Sequence, residues 1–194
     1  LFSSIPFLYY FLPVVLIVYY AVPKSAKNMV LLLASLVFYG WGEPSYVFLM
    51  MASIGLGYVF GLLIEKFKNT TWAKVFLVLS IIVSLGFLGY FKYADFLIGN
   101  INALFGTDIP LTDLPLPIGI SFYTFQSMSY IIDVYRGTAK AQRNWIDFGA
   151  YVSLFPQLVA GPIVKYSTIA EQLNHRTEST RLFAEGIRRF TIGL

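Results

Sequence analysis

"LFPQLVAGPIVKY", Leu154 to Tyr166, is apolar enough to enter a bilayer, yet Pro156, Gln157, Gly161 and Pro162 interrupt it. A proline has no N–H and crowds the turn before it, so neither proline suits an unbroken helix. Irregular backbone at membrane depth is tolerated only where protein buries it or water reaches it. The stretch therefore calls for a helical scaffold around it, and the flanking sequence supplies one.

The chain is 57% hydrophobic and only 12% charged, with a mean hydropathy of +0.69. Soluble domains carry about 25% charged residues. The apolar residues also fall in long runs, which is the signature of membrane helices. Without cysteine there is no disulfide framework and no thiolate metal site. The net charge of +4 comes from lysines and arginines clustered at 24–27, 66–74, 136–143 and 165–189. Such clusters mark cytoplasmic loops of a membrane protein better than a nucleic-acid surface.

Five spans are expected: Ile5 to Val22, Ala26 to Gly42, Tyr46 to Ile64, Lys74 to Tyr90 and Leu116 to Tyr135. The first lacks the basic start and small-residue cleavage site of a signal peptide. "FLIGNINALFG", Phe96 to Gly106, is too short to cross and is read as interfacial. An even number of crossings separates the first three basic clusters, which puts the N-terminus and the segment holding Asp95, Asp108 and Asp113 outside. Between the third cluster and the fourth stands only Trp145 to Val164. A single crossing there would carry the fourth cluster outside, so the broken segment is expected to enter from the cytoplasmic face and return to it.

Tyr123, Gln126, Tyr130 and Asp133 share one face of the Leu116 span. A polar stripe facing lipid is expensive, so it should face protein or a wet path. Asp133 is read as pairing with Arg136, and Gln126 as lining a tunnel or making an interhelical hydrogen bond. His175, the single histidine, follows an expected capping box of Thr168 and Glu171 and is read as exposed at a helix end. No metal-ligand spacing, phosphate loop or nucleophile elbow occurs. A chain that starts at Leu1 and stops inside the apolar "RRFTIGL" reads as a piece of a longer protein.

"LPLPIGISFYTFQSMSYIIDVYRG" followed by "DFGAYVSLFPQLVAGPIVKYSTIAEQL" resembles the signature region of the membrane-bound O-acyltransferase family. The opening "LFSSIPFLYYFLPVVLIVYYAVP" and the "FYGWGEP" break are similar to its bacterial alginate O-acetyltransferase branch. The resemblance runs over residues 1–194 and implies an all-α, polytopic membrane domain with a re-entrant segment, of which this chain is the N-terminal part. It implies residence in the bacterial inner membrane, with the bilayer as the surrounding partner and no nucleic acid. The implied reaction passes an acyl group, acetyl in this branch, from a cytoplasmic thioester co-substrate to hydroxyls of an exported polysaccharide. No bound cofactor is implied, and other envelope acetylation proteins fit as partners. A tunnel histidine would act as general base on the acceptor hydroxyl, and in the family it lies beyond Leu194. No catalytic residue is therefore assigned within the chain. The donor side would be lined or shaped by Gln126, Pro156, Gln157, Gly161, Pro162 and Lys165. Relatives often carry arginine where Lys165 stands, and lysine keeps the charge but loses the bidentate fork. Acylation of another cell-wall polymer, such as D-alanylation, is the alternative within the enzymes. A transporter or scaffold is the alternative outside them.

Overall fold

Proline decides the first helix. In the computed structural model, which describes residues 4–158 and 164–193, a π-helical turn at Phe7–Phe11 leads into α1, Leu12–Ala21. Pro13 cannot donate to the preceding turn, and that turn is widened so that Leu12 N–H reaches back to Phe7 O. A short basic turn follows, and then α2, Lys27–Gly42. Glu43 to Tyr46 reverses the chain into α3, Val47–Lys66. A second reversal, with Asn69 in the left-handed region at φ 67°, starts α4, Thr71–Leu88.

Here the structure departs from expectation. The segment read as a separate interfacial helix is α5, Ala94–Phe105, joined to α4 by a π-helical turn at Gly89–Tyr93. The two form a single 35-residue helix from Thr71 to Phe105. The widened turn keeps the two joined without a loop. Next comes α6, Ile120–Arg136, which starts four residues later than Leu116. Pro115 and Pro117 disfavour helix before it, and Gly119 turns the chain at φ 76°. The remaining helices are α7 (Trp145–Ser153), α8 (Phe155–Leu158), α9 (Tyr166–Asn174) and α10 (Thr180–Gly193). No strand occurs among the described residues.

The centre is α3 against α6, with α4 flanking both and α2 covering α7. Gly57 and Gly61 in "GYVFG" give the close approach that small residues four apart provide in membrane helices. A Cβ on Gly61 would stand 2.7 Å from Cε1 of Tyr130, and one on Gly57 would stand 2.9 Å from Cζ of Phe148. Both rings are fully buried. The helix Pro44–Lys66 and the helix Thr71–Phe105 are each long and apolar enough to cross a membrane. At 16 and 17 residues, α2 and α6 are shorter; they reach about 24 and 25 Å at ~1.5 Å per residue.

The first reversal places Lys27, at the start of α2, and Lys66, at the end of α3, at one end of the bundle, hereafter the basic end. Arg143 belongs there too, since its guanidinium meets Glu65 at 3.4 Å and Glu65 also accepts from Ala141 N at 2.9 Å. Arg176 is at the same end, bonded to Asn28 and, at 3.1 Å, to Tyr19 Oη. The chain thus leaves the basic end after Arg143 and is back by Arg176.

Candidate functional site

Pro156 sets the local geometry. It has no N–H for Val152 O; α7 stops at Ser153 with Leu154 turned out at ψ 111°, and Pro156 falls in the first turn of α8, where no N–H is needed. In a continuous helix Phe155 N–H would donate to Tyr151 O. Both groups are buried and both find side chains instead. Phe155 N–H donates to Ser35 Oγ of α2 at 3.2 Å, and Tyr151 O accepts from Gln126 Nε2 of α6 at 2.8 Å. One hydrogen bond of the helix ladder is thus replaced by two from flanking helices, which satisfies polar groups that cannot be left unpaired in an apolar interior.

The returning arm is held in the same way. Tyr151 Oη donates to Val164 O at 2.9 Å. Gln142 Nε2 donates to Tyr166 Oη at 3.0 Å, and Gln142 N–H to Tyr130 Oη at 2.8 Å. The rings of Tyr130, Phe148, Tyr151 and Tyr166 pack together with centroids 4.7–6.2 Å apart. An aromatic box therefore clamps both feet of the hairpin against α6.

Beside the hairpin runs a groove of about 370 Å³ between α1, α7, α8 and α9, with Leu12, Val15 and Leu16 on one wall. Tyr151, Leu154, Phe155, Pro156, Ile169 and Leu173 form the other, and Tyr19, Gln172 and Arg176 stand at the basic end. Arg176 bonds Tyr19 Oη and Asn28 Oδ1, while Asn28 Nδ2 donates to Asp147 Oδ1 at 2.6 Å and to Leu173 O at 3.0 Å. Lys27 Nζ, nearly buried, lies 2.5 Å from Glu178 Oε2 and 4.6 Å from the Tyr19 ring centroid. The Lys27 ammonium holds the Glu178 carboxyl below the usual carboxylate range.

Of the residues singled out by sequence, Pro156 lines the groove and is exposed, and Gln157 beside it is half-buried. Lys165 is exposed and forms the N-cap of α9. The Gln126 amide is 3% exposed and bonded to Tyr151, so it braces the hairpin from behind rather than facing the groove. Gly161 and Pro162 lie outside the described residues. His175 is exposed at the end of α9, as expected. Two readings need correction. Thr168 and Glu171 do not form a capping box, because α9 already begins at Tyr166 and Thr168 sits inside it. Asp133 makes no ion pair with Arg136 among the described residues; its Oδ2 is buried without a hydrogen-bond partner there, as are the hydroxyls of Tyr39, Tyr123 and Ser127. Sequence reasoning missed Ser35, Asn28 and Asp147. A lone serine in "VLLLASLVF" was the available signal for the first.

The chain is 46% identical over 197 residues to the probable alginate O-acetylase AlgI of Azotobacter vinelandii, an alignment covering 99% of this chain and 40% of that protein. It is 46% identical to the protein of the same name from Pseudomonas aeruginosa, covering 99% of this chain and 38% of that one. Identity is 31% over 226 residues to the peptidoglycan O-acetyltransferase of Helicobacter pylori, covering 100% of this chain and 43% of that protein. The chain spans about 40% of the length of the curated relatives it matches. No family model and no solved structure matches it. With the break at Pro156 braced by Ser35 and Gln126, and with this identity along nearly its whole length, the chain is similar to alginate O-acetylases, which supports its reading as part of a membrane-bound O-acyltransferase.

Proposed function

We propose that the whole protein transfers acetyl groups from a cytoplasmic thioester to hydroxyls of an exported polysaccharide, alginate or a polymer like it. The observation that carries this is the 46% identity to alginate O-acetylases over 99% of the chain. In this reading the protein is a multi-pass protein of the bacterial inner membrane, with the basic end in the cytoplasm. Its hairpin, 145–166, dips into the membrane and returns. The return of the chain from Arg143 to Arg176 at one end of the bundle supports re-entry.

This chain's part is to shape the donor side. The groove reaches the basic end at Arg176, where an anionic donor would meet positive charge, and Lys165 at the start of α9 would add to it. Its walls are apolar, which keeps water from a thioester. A cavity of about 370 Å³ is within the ordinary range for small-molecule sites. The general base would come from the part of the protein beyond this chain, acting on the acceptor hydroxyl. Pro156 and Gln157 shape the inner end of the groove, and Gln126 holds them in position through Tyr151.

A second acceptor, peptidoglycan, is favoured by the 31% identity to the Helicobacter pylori enzyme. Expression of the full-length protein in an alginate-producing host that lacks its own O-acetylase tests the choice. Acetyl esters on alginate are expected by NMR of the purified polymer. Esters confined to muropeptides would shift the acceptor to peptidoglycan, and esters on neither polymer would sink the proposal.

A further inference from the structure

We propose that α10 lies in the headgroup layer of the membrane at the basic end and binds anionic phospholipid there. The helix rests on the body at its beginning, where the Phe183 ring meets the Tyr20 ring edge-on, with centroids 5.6 Å apart. Just before it, Glu178 is tied to Lys27 and Tyr19. Ser179 opens the helix, its Oγ accepting from Leu182 N–H at 3.2 Å. Every described residue from Thr177 to Gly193 is exposed.

The sequence of α10 divides into two faces. Leu182, Phe183, Ile187 and Phe190 recur at i, i+1, i+5 and i+8, which puts them on one side of a helix. Arg181, Arg188, Arg189 and Glu185 fall on the other side, and Ile192 alone breaks the pattern. Arg189 pairs with Glu185 one turn back at 2.5 Å, which leaves Arg181 and Arg188 as the uncompensated charges of the polar face. A helix with an apolar face and a cationic face is the form that settles in a membrane interface.

Two observations favour lipid over a protein partner. The apolar face of α10 begins at Tyr20, the last turn of α1, whose outer side chains Val14, Ile17 and Val18 are exposed and apolar. The exposed apolar side of α1 therefore meets the apolar face of α10 at the Tyr20–Phe183 contact. The polar face also carries the sign of charge that the cytoplasmic leaflet attracts, at the end of the molecule where Lys24, Lys27 and Lys66 already gather.

This inference rests on the membrane reading of the bundle, and the test separates the two. Single cysteines in a cysteine-free version of the full-length protein are spin-labelled at Ile187, Phe190, Arg188 and, on the outer face of α4, Val78. Collision rates with oxygen and with a water-soluble nickel chelate are read in vesicles of phosphatidylethanolamine with and without phosphatidylglycerol. Labels at 187 and 190 should favour oxygen several-fold over the label at 188, and the difference should shrink without phosphatidylglycerol. Shielding of 187 and 190 from both reagents would mean that protein covers this face and would overturn the inference. Nickel access at 187 and 190 would overturn it too, by placing the helix in water. An unchanged difference without phosphatidylglycerol would remove the anionic-lipid claim. Nickel access at 78 would instead overturn the membrane reading of α4.

Discussion

Phe155 N–H and Tyr151 O, partners in any continuous helix, are separated here and bonded to Ser35 and Gln126, one on either side. Each replacement should therefore carry the cost of a buried unpaired group, about 1–3 kcal/mol. Ser35→Ala and Gln126→Leu in the full-length protein are expected to lower thermal stability and acetyl transfer. Because both side chains support one backbone break, their effects should be non-additive. Strictly additive stability losses in a double-mutant cycle would argue that the two bonds are independent.

Gly61 leaves room for the Tyr130 ring and nothing more. Gly61→Leu must displace a ring that also accepts from Gln142 N–H at the foot of the hairpin. The expected loss is about 1–3 kcal/mol, the usual range for overpacking, seen as a lower melting temperature of the purified protein. Gly86→Leu, on α4 with open space around it, serves as the control and should change little. Equal losses at the two positions would contradict the close-packing account.

Much of this could be read from the chain itself. Pro156 announces the break, and the basic clusters announce that both feet of the hairpin share an end. What the sequence concealed were the partners of the break. Ser35 lies 120 residues from Phe155, and a serine in an apolar run looks the same whether it is idle or essential. Local rules also failed where backbone geometry overrode them. The Thr168–Glu171 spacing mimics a cap, but the chain enters α9 at Lys165, in extended conformation at φ −64° and ψ 139°. The π-helical turn at Gly89–Tyr93 gave no signal, since wide turns and ordinary ones use the same apolar and glycine residues.

Acid should loosen the connection between α9 and α10. The Glu178 carboxyl is held below its ordinary value of 4.5 by Lys27, so its contribution is complete above that value. It fades as the pH falls through the depressed value in the folded protein. Glu178 is partly exposed, so the effect is small, up to about 1 kcal/mol. Hydrogen exchange of residues 176–183, corrected for intrinsic rates, should rise in acid, and Glu178→Gln should show the faster exchange already at neutral pH. Identical exchange in the variant and the parent would remove the tie.

Arg143 and Thr177 should both face the cytoplasm. Single cysteines at these exposed positions, in a cysteine-free full-length protein, should resist an impermeant thiol reagent in intact cells and react once the membrane is opened. Labelling of one from outside and not the other would make 145–164 a crossing segment and dismantle the donor-side groove.

The distance of Ser35 from Phe155 also matters during biosynthesis. The nitrogen that Ser35 serves is made 120 residues later, an interval of about 6–24 s at ~5–20 residues per second. In the multi-pass membrane reading proposed above, α2 stands throughout that wait in lipid or against the insertion machinery without its eventual neighbour. Its serine does not wait exposed, because the hydroxyl donates to Leu31 O one turn back at 2.7 Å and keeps its lone pairs for the amide that arrives later. An early helix can thus be stored safely and still offer an acceptor when the hairpin emerges. Ribosome-bound chains cut before residue 155 should accordingly crosslink from position 35 of α2 to lipid, and chains long enough for residue 166 to have left the ribosome should lose that crosslink.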